Sequence, residues 1–269
     1  MNNMSMVPLK DGNELYVTEL GSGTPLVLIP GWAYTADVFD KVMPLLAESF
    51  RVIAYDPRSH GRSSLAITGN TYEQHGEDLL TLIQHMELDS FVLLGWSLGV
   101  YDAYAFCRQQ GLDGVLALIA VDESPMIHKT SDNPWGEGSV DEVAGLVSTV
   151  ASDQYLDFFK DYMCDGFVGD APEELVEKFA EHASKLPPSL ASGLLEDATR
   201  YDFRQLASEI AHDIPVQNIL REEWSADALN WIRHNQPSAQ SVVLGGHLML
   251  LEFPDLFSEK VLSFLNASL

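Results

Sequence analysis

Residues 91–111 read FVLLGWSLGVYDAYAFCRQQG. Phe91 to Leu94 form an unbroken apolar run, the pattern of a strand buried on both faces. From Gly99 the chain reads as a helix, closed by Gly111, a residue suited to ending one. Only Gly95-Trp96-Ser97-Leu98-Gly99 joins the two. G-x-S-x-G is short and weak as a motif alone. Between a strand and a helix it has the form of a nucleophile elbow, a tight turn that lifts the serine hydroxyl above the carboxyl edge of a sheet. Ser97 is therefore a candidate nucleophile. The backbone N–H of Leu98, at the opening of the helix, is a candidate oxyanion donor.

The same alternation extends outward. PLVLIPG (25–31), FRVIAYDP (50–57) and GVLALIAVDESP (114–125) are apolar runs that end in turn residues. TYEQHGEDLLTLIQHMEL (71–88) places Leu79, Leu80, Ile83 and Met86 on one helical face. IPVQNIL (214–220) and SVVLGG (241–246) resume the strand pattern, and FPDLFSEKVLSFLNASL (253–269) reads as a final helix. Continuous apolar strands alternating with helices indicate a mainly parallel sheet covered on both faces. Residues 126–212 differ: they are acid-rich, broken by SDNPWGEGS and LPPSL, and read as helices without a strand. The expected plan is an α/β core formed by residues 1–125 and 213–269, with residues 126–212 inserted after the sixth strand as a helical lid. An insertion there lies over the ligand crevice of an open sheet.

Lys and Arg number 15 against 40 Asp and Glu, a formal charge of −25. Such an excess of acid repels nucleic acid and anionic membrane surfaces, which leaves a small molecule as the expected partner. No stretch of about 18 apolar residues is present, and the first residues lack the apolar core of a secretory signal. A cytoplasmic monomer or homodimer is the expectation. Two cysteines, Cys107 and Cys164, supply neither a disulfide framework nor a cysteine metal site, and both are expected to act as small buried hydrophobes.

PGWAYTADVFDKVMPLLAESFRVIAYDPRSHGRSS, the elbow GWSLG and the late GGH, in that order, resemble the α/β-hydrolase fold. The first half is especially similar to the branch of serine esterases and cofactor-free haloperoxidases. The resemblance implies an eight-stranded, mainly parallel sheet, a serine–histidine–acid triad, and no metal or other cofactor. It places a second oxyanion N–H on Trp32, within Pro30-Gly31-Trp32, where a proline replaces the family's usual histidine. Of eight histidines, His247 occupies the position of the family's catalytic base, whereas His60, in SHGRS, matches a loop histidine that is usually structural.

The acid departs from the family pattern. Its usual place follows the seventh strand in a G-x-x-D motif, but here PVQNIL is followed by Arg221-Glu222-Glu223-Trp224. Glu222 or Glu223 could substitute. Asp122, ending the sixth strand, is the preferred candidate, since haloalkane dehalogenases and the cofactor-free dioxygenases of N-heteroaromatic rings resemble this layout. Asp122 and Glu123 are adjacent on a strand and face opposite ways, so only one is expected to reach the histidine.

Ser97, His247 and Asp122 together predict a serine hydrolase cleaving a small carboxylic ester or related acyl compound. Trp32, Trp96 and lid aromatics such as Trp135, Phe158, Phe159 and Tyr162 are candidate pocket residues. The alternatives are a cofactor-independent dioxygenase, which the Trp96 and Leu98 neighbours of Ser97 disfavour, and a ligand-binding protein without catalysis.

Overall fold

The computed structural model describes residues 3–269. Eight strands form one sheet: β1 (Asn3–Pro8), β2 (Glu14–Gly21), β3 (Pro25–Ile29), β4 (Arg51–Tyr55), β5 (Phe91–Trp96), β6 (Val115–Val121), β7 (Val216–Leu220) and β8 (Gln240–Val243). Their order across the sheet is β1-β2-β4-β3-β5-β6-β7-β8. β1 and β2 are antiparallel to their neighbours, and all other pairings are parallel.

The central strands are buried along their whole length. Every residue of β5 and β7 is buried, as are four of the five residues in β3 and β4. Helices cover both faces, as parallel crossovers require. Before the elbow come α1 (Met43–Leu46) and α2 (Tyr72–His85), and after it α3 (Gly99–Gln110). Five helices separate β6 from β7: α4 (Val140–Val150), α5 (Tyr155–Asp165), α6 (Glu173–Ala183), α7 (Pro188–Ala198) and α8 (Arg204–Asp213). The chain then forms α9 (Ser225–Asn235), α10 (Met249–Glu252) and α11 (Pro254–Ser268).

The apolar runs mark the central strands, but they do not reveal β1. Of its residues only Val7 is buried, so no hydrophobic pattern announces an edge strand held by its backbone ladder to β2. Cys107 is buried in α3. Cys164 is exposed on α5, which corrects its assignment as a buried hydrophobe.

At the junction of β5 and α3 backbone segments crowd closely. A Cβ on Gly99 would meet the carbonyl oxygens of Ile29 and Pro30, the latter at 2.6 Å. Both atoms belong to backbone, so no side-chain adjustment can relieve the clash. Gly99→Ala is expected to cost about 1–3 kcal/mol, the usual range for an overpacked core. Urea unfolding measures this as a lower midpoint with an unchanged slope.

Candidate active site

Ser97 follows β5 with φ at 54°, a left-handed conformation that costs a non-glycine residue about 1–3 kcal/mol. The strand ladder holds it there, since the Ser97 N–H donates to Val121 O at 2.8 Å. The turn also lets the loop after β3 approach closely. A Cβ on Gly31 would lie 2.7 Å from Ser97 Cβ, so this position admits only glycine. Neither the Trp32 N–H nor the Leu98 N–H makes a hydrogen bond to a protein atom among the described residues. Two unpaired amide donors therefore flank the serine. The Trp32 side chain is anchored separately, its indole N–H donating to Ala191 O at 2.8 Å.

Asp122 repeats the geometry of Ser97 one strand over. It follows β6 with φ at 54°, and its N–H donates to Ile219 O at 2.8 Å. Its carboxylate accepts twice. Oδ2 lies 2.6 Å from His247 Nδ1, and Oδ1 accepts the Arg221 N–H at 2.9 Å. An ionised carboxylate can only accept, so the hydrogen between Asp122 and His247 sits on Nδ1, leaving Nε2 with a lone pair. Asp122 and His247 are both almost wholly buried, and Nε2 has no partner.

His247 is held from two more sides. The Trp96 indole N–H donates to His247 O at 2.9 Å, and the Leu248 N–H donates to Gly166 O at 2.9 Å. The Trp96 and His247 rings lie 5.0 Å apart, and Tyr162 meets the imidazole edge-on at 5.6 Å.

Among the alternative acids, Glu223 is 85 % exposed and its carboxylate lies 3.7 Å from Arg221 Nε. The Glu222 backbone N–H pairs with Gly245 O. No hydrogen bond joins either side chain to His247 among the described residues. His60 lies apart in a loop, where its Nδ1 pairs with Arg58 O at 2.8 Å and burial pushes it down to about 4.

A cavity opens beside Ser97, with about 40 Å³ available to the centres of water-sized molecules. That is room for a few waters or a short substrate arm. Trp32, Leu98, Phe158 and Tyr162 contribute to its wall. The other aromatic candidates lie elsewhere. Trp96 is fully buried behind His247, Phe159 is fully buried against Trp32 and Tyr34, and Trp135 packs on Trp231. Trp96 thus supports the histidine from behind and does not line the cavity.

Two acidic wall residues, Glu123 and Glu137, were not among the sequence candidates for the pocket. Glu123 makes no hydrogen bond to His247; it and Asp122 both lie beyond the end of β6, Asp122 with φ at 54°, so the strand alternation expected of the pair does not apply. Burial, with Glu137 and Asp122 nearby, raises its pKa well above the ordinary 4.5. No signal links Glu137 to the site in the sequence, because only tertiary packing of the loop after β6 brings it there. Among the described residues no group of three or more His, Cys, Asp or Glu side chains could hold a metal ion, and no helix is long and apolar enough to cross a membrane.

Residues 24–266 match the family model described as alpha/beta hydrolase fold, so the chain belongs to the α/β-hydrolase family. A non-heme haloperoxidase of Rhodococcus erythropolis is 29 % identical over 135 residues, 49 % of each chain. The chain spans about half the length of the curated relatives it matches. A bromoperoxidase from Bacillus anthracis superposes with a TM-score of 0.88 at 24 % identity, over 99 % of this chain and 100 % of that one. An esterase from Exiguobacterium antarcticum gives 0.88 at 24 % identity, over 97 % and 99 %. These two solved structures share the fold.

The raised pKa of Glu123 carries a stability consequence. A carboxyl whose folded pKa lies above its unfolded value binds more protons when folded, so stability falls as pH climbs from the unfolded towards the folded value. Removing the charge removes that loss. Glu123→Gln is therefore expected to stabilise the unliganded protein more at about pH 8 than at about pH 5. Melting temperatures of both proteins at the two pH values test this, and an equal shift at both would refute it.

Proposed function

We propose that the protein is a serine hydrolase that cleaves a small carboxylic ester or related acyl compound. The observation that carries this reading is the 2.6 Å contact between Asp122 Oδ2 and His247 Nδ1 in the same buried site as Ser97, which is flanked by two unpaired amide N–H groups. The esterase and haloperoxidase names among its relatives and structural neighbours agree with such chemistry.

Ser97 Oγ attacks the ester carbonyl carbon while His247 Nε2 takes the hydroxyl proton. The carbonyl oxygen becomes an oxyanion held by the Trp32 and Leu98 N–H groups. The intermediate then collapses. The C–O bond to the alcohol breaks, and the imidazolium returns its proton to the departing oxygen. Water, its proton taken by the same Nε2, attacks the acyl–serine ester, the bond to Ser97 Oγ breaks with that proton returned to Oγ, and the carboxylic acid leaves. Asp122 keeps Nδ1 protonated and stabilises the imidazolium in both halves. Ser97 and His247 are not hydrogen-bonded in the unliganded site, and such contacts commonly tighten only with substrate present.

Residues 126–212 act as the cap in this reading, set between the core segments 1–125 and 213–269. Their Phe158, Tyr162 and Leu195 close the cavity over Ser97 and limit its size, which favours short acyl chains. The reaction draws on no metal or other cofactor.

Ser97→Ala is expected to abolish turnover of p-nitrophenyl acetate, and Asp122→Asn to lower kcat by about 10³-fold or more with an intact fold. Stopped assays beside circular dichroism check both. An unchanged rate in Ser97→Ala would sink the hydrolase reading. A rate lost on Glu222→Gln or Glu223→Gln but kept in Asp122→Asn would move the acid to the end of β7.

A further inference from the structure

The wall of the Ser97 cavity holds more carboxyl groups than cations. Glu123, 3 % exposed, and Glu137, whose side chain is 23 % exposed, line it, and Asp122, 1 % exposed, lies close to both. One guanidinium, Arg221, serves them. It stands 3.6 Å from Asp122 Oδ2 and 3.8 Å from Glu137 Oε1, too far for a hydrogen bond. It is also stacked on Trp224, with its central carbon 3.4 Å from the ring centroid, and faces exposed Glu223 on its outer side. His247 is paired with Asp122 through Nδ1, 2.6 Å from Oδ2.

Glu123 is the least satisfied of the three. Its Oε1 accepts the Ser124 N–H at 2.9 Å, and Oε2 has no hydrogen-bond partner among the described residues. The residue lines the cavity, so a carboxyl oxygen without a protein partner belongs to the wall of the space beside Ser97. Tyr34 lines the same cavity with a buried hydroxyl that also lacks a partner. A buried carboxyl with one oxygen left unpaired is costly, and it is relieved by a charge or a donor placed against that oxygen. The remaining wall suits the same occupant, because Trp32, Phe158 and Tyr162 are aromatic and attract a cation over their faces.

We propose that this cavity is a subsite for an ammonium group, with Glu123 and Glu137 as its anionic partners, and that the substrate is a small ester whose acyl chain carries a basic amine. The proposal rests on the hydrolase reading and specifies its substrate class. Without ligand, Glu123 is kept protonated by burial and by its neighbours Glu137 and Asp122. An entering ammonium supplies the missing positive charge, so Glu123 releases its proton to solvent and pairs with it as a carboxylate. Hydrolysis at Ser97 then proceeds as for any ester, with the amine untouched.

β-Alanine ethyl ester and ethyl butyrate test this, since they match in length and differ in carrying an ammonium or a methyl group at the chain end. Acid release at neutral pH is expected to give β-alanine ethyl ester the higher kcat/KM by about tenfold or more, the worth of one charged hydrogen bond. Glu123→Gln is expected to bring that ratio close to one, whatever it does to either rate, and Glu137→Gln to lower it as well. Equal kcat/KM for the two esters in the wild-type protein would overturn the ammonium subsite and leave the hydrolase reading intact. Binding to Ser97→Ala, followed by calorimetry, separates the readings in the other direction. If neither ester is cleaved but β-alanine ethyl ester still binds about tenfold tighter than ethyl butyrate, and Glu123→Gln abolishes the difference, the subsite stands and the hydrolase falls. Absence of that preference in binding as well as in turnover would overturn the subsite.

Discussion

The hydrogen bond between Asp122 and His247 is the constraint around which the site is built. It joins residues 125 positions apart, one ending β6 and one following β8. It can form only if β7 lies between them in register. β7 takes part directly, since the Ile219 carbonyl fixes the Asp122 backbone and the Arg221 N–H holds the second carboxylate oxygen. Three consecutive sheet positions thus converge on one carboxylate. Where the family pattern leads one to expect an acid after β7, this chain provides a backbone donor to an acid one strand away. The backbone cost is an Asp in the left-handed region, a conformation that Asp tolerates better than most residues.

Ser97 and Asp122 share that conformation just past the ends of adjacent strands, each pinned by a hydrogen bond from its backbone N–H to the next strand. The sheet therefore supplies the rigidity and the two turns supply the aim. The helices between β6 and β7 complete the arrangement. Ala191 anchors the Trp32 indole, Gly166 anchors the loop bearing His247, and Tyr162 packs on the imidazole. Displacing these helices would disturb the proposed oxyanion loop and the proposed base together.

The central strands and the elbow were legible in the sequence because burial on both faces writes itself as a continuous apolar run, and because a strand and a helix with five residues between them leave one kind of turn. β1 was not legible, since an edge strand with one buried residue has no pattern to read. Trp96 was placed in the pocket by its proximity to Ser97. Neighbours on a strand point to opposite faces, and the Trp96 side chain went behind the histidine. Cys164 followed a general preference of cysteines for burial, which the solvent-facing side of α5 overrode. Asp122 came into view only through the absence of an acid after β7, combined with a family resemblance. Glu137 had no such pointer, because nothing local ties a loop residue to a carboxylate 14 positions earlier and a guanidinium 84 positions later.

That missing pointer bears on what the site is for. A protein selected for stability alone would not place Glu123 in an apolar enclosure beside two other carboxyls, because a glutamine or an aliphatic side chain of similar volume avoids the cost of burying charge. Arg221 cannot discharge the cluster, being outnumbered and held on Trp224 beyond hydrogen-bond reach of Asp122 Oδ2 and Glu137 Oε1. Asp122 has its own partners in His247 and the Arg221 amide. The residual imbalance therefore falls on the two carboxyls that line the cavity, and it can be resolved in two ways. A retained proton neutralises the free protein, or a ligand's positive charge takes the proton's place. The first alone explains how the chain folds. The second also explains why carboxyl groups stand at a wall otherwise made of aromatic and aliphatic side chains, within one enclosure shared with Ser97.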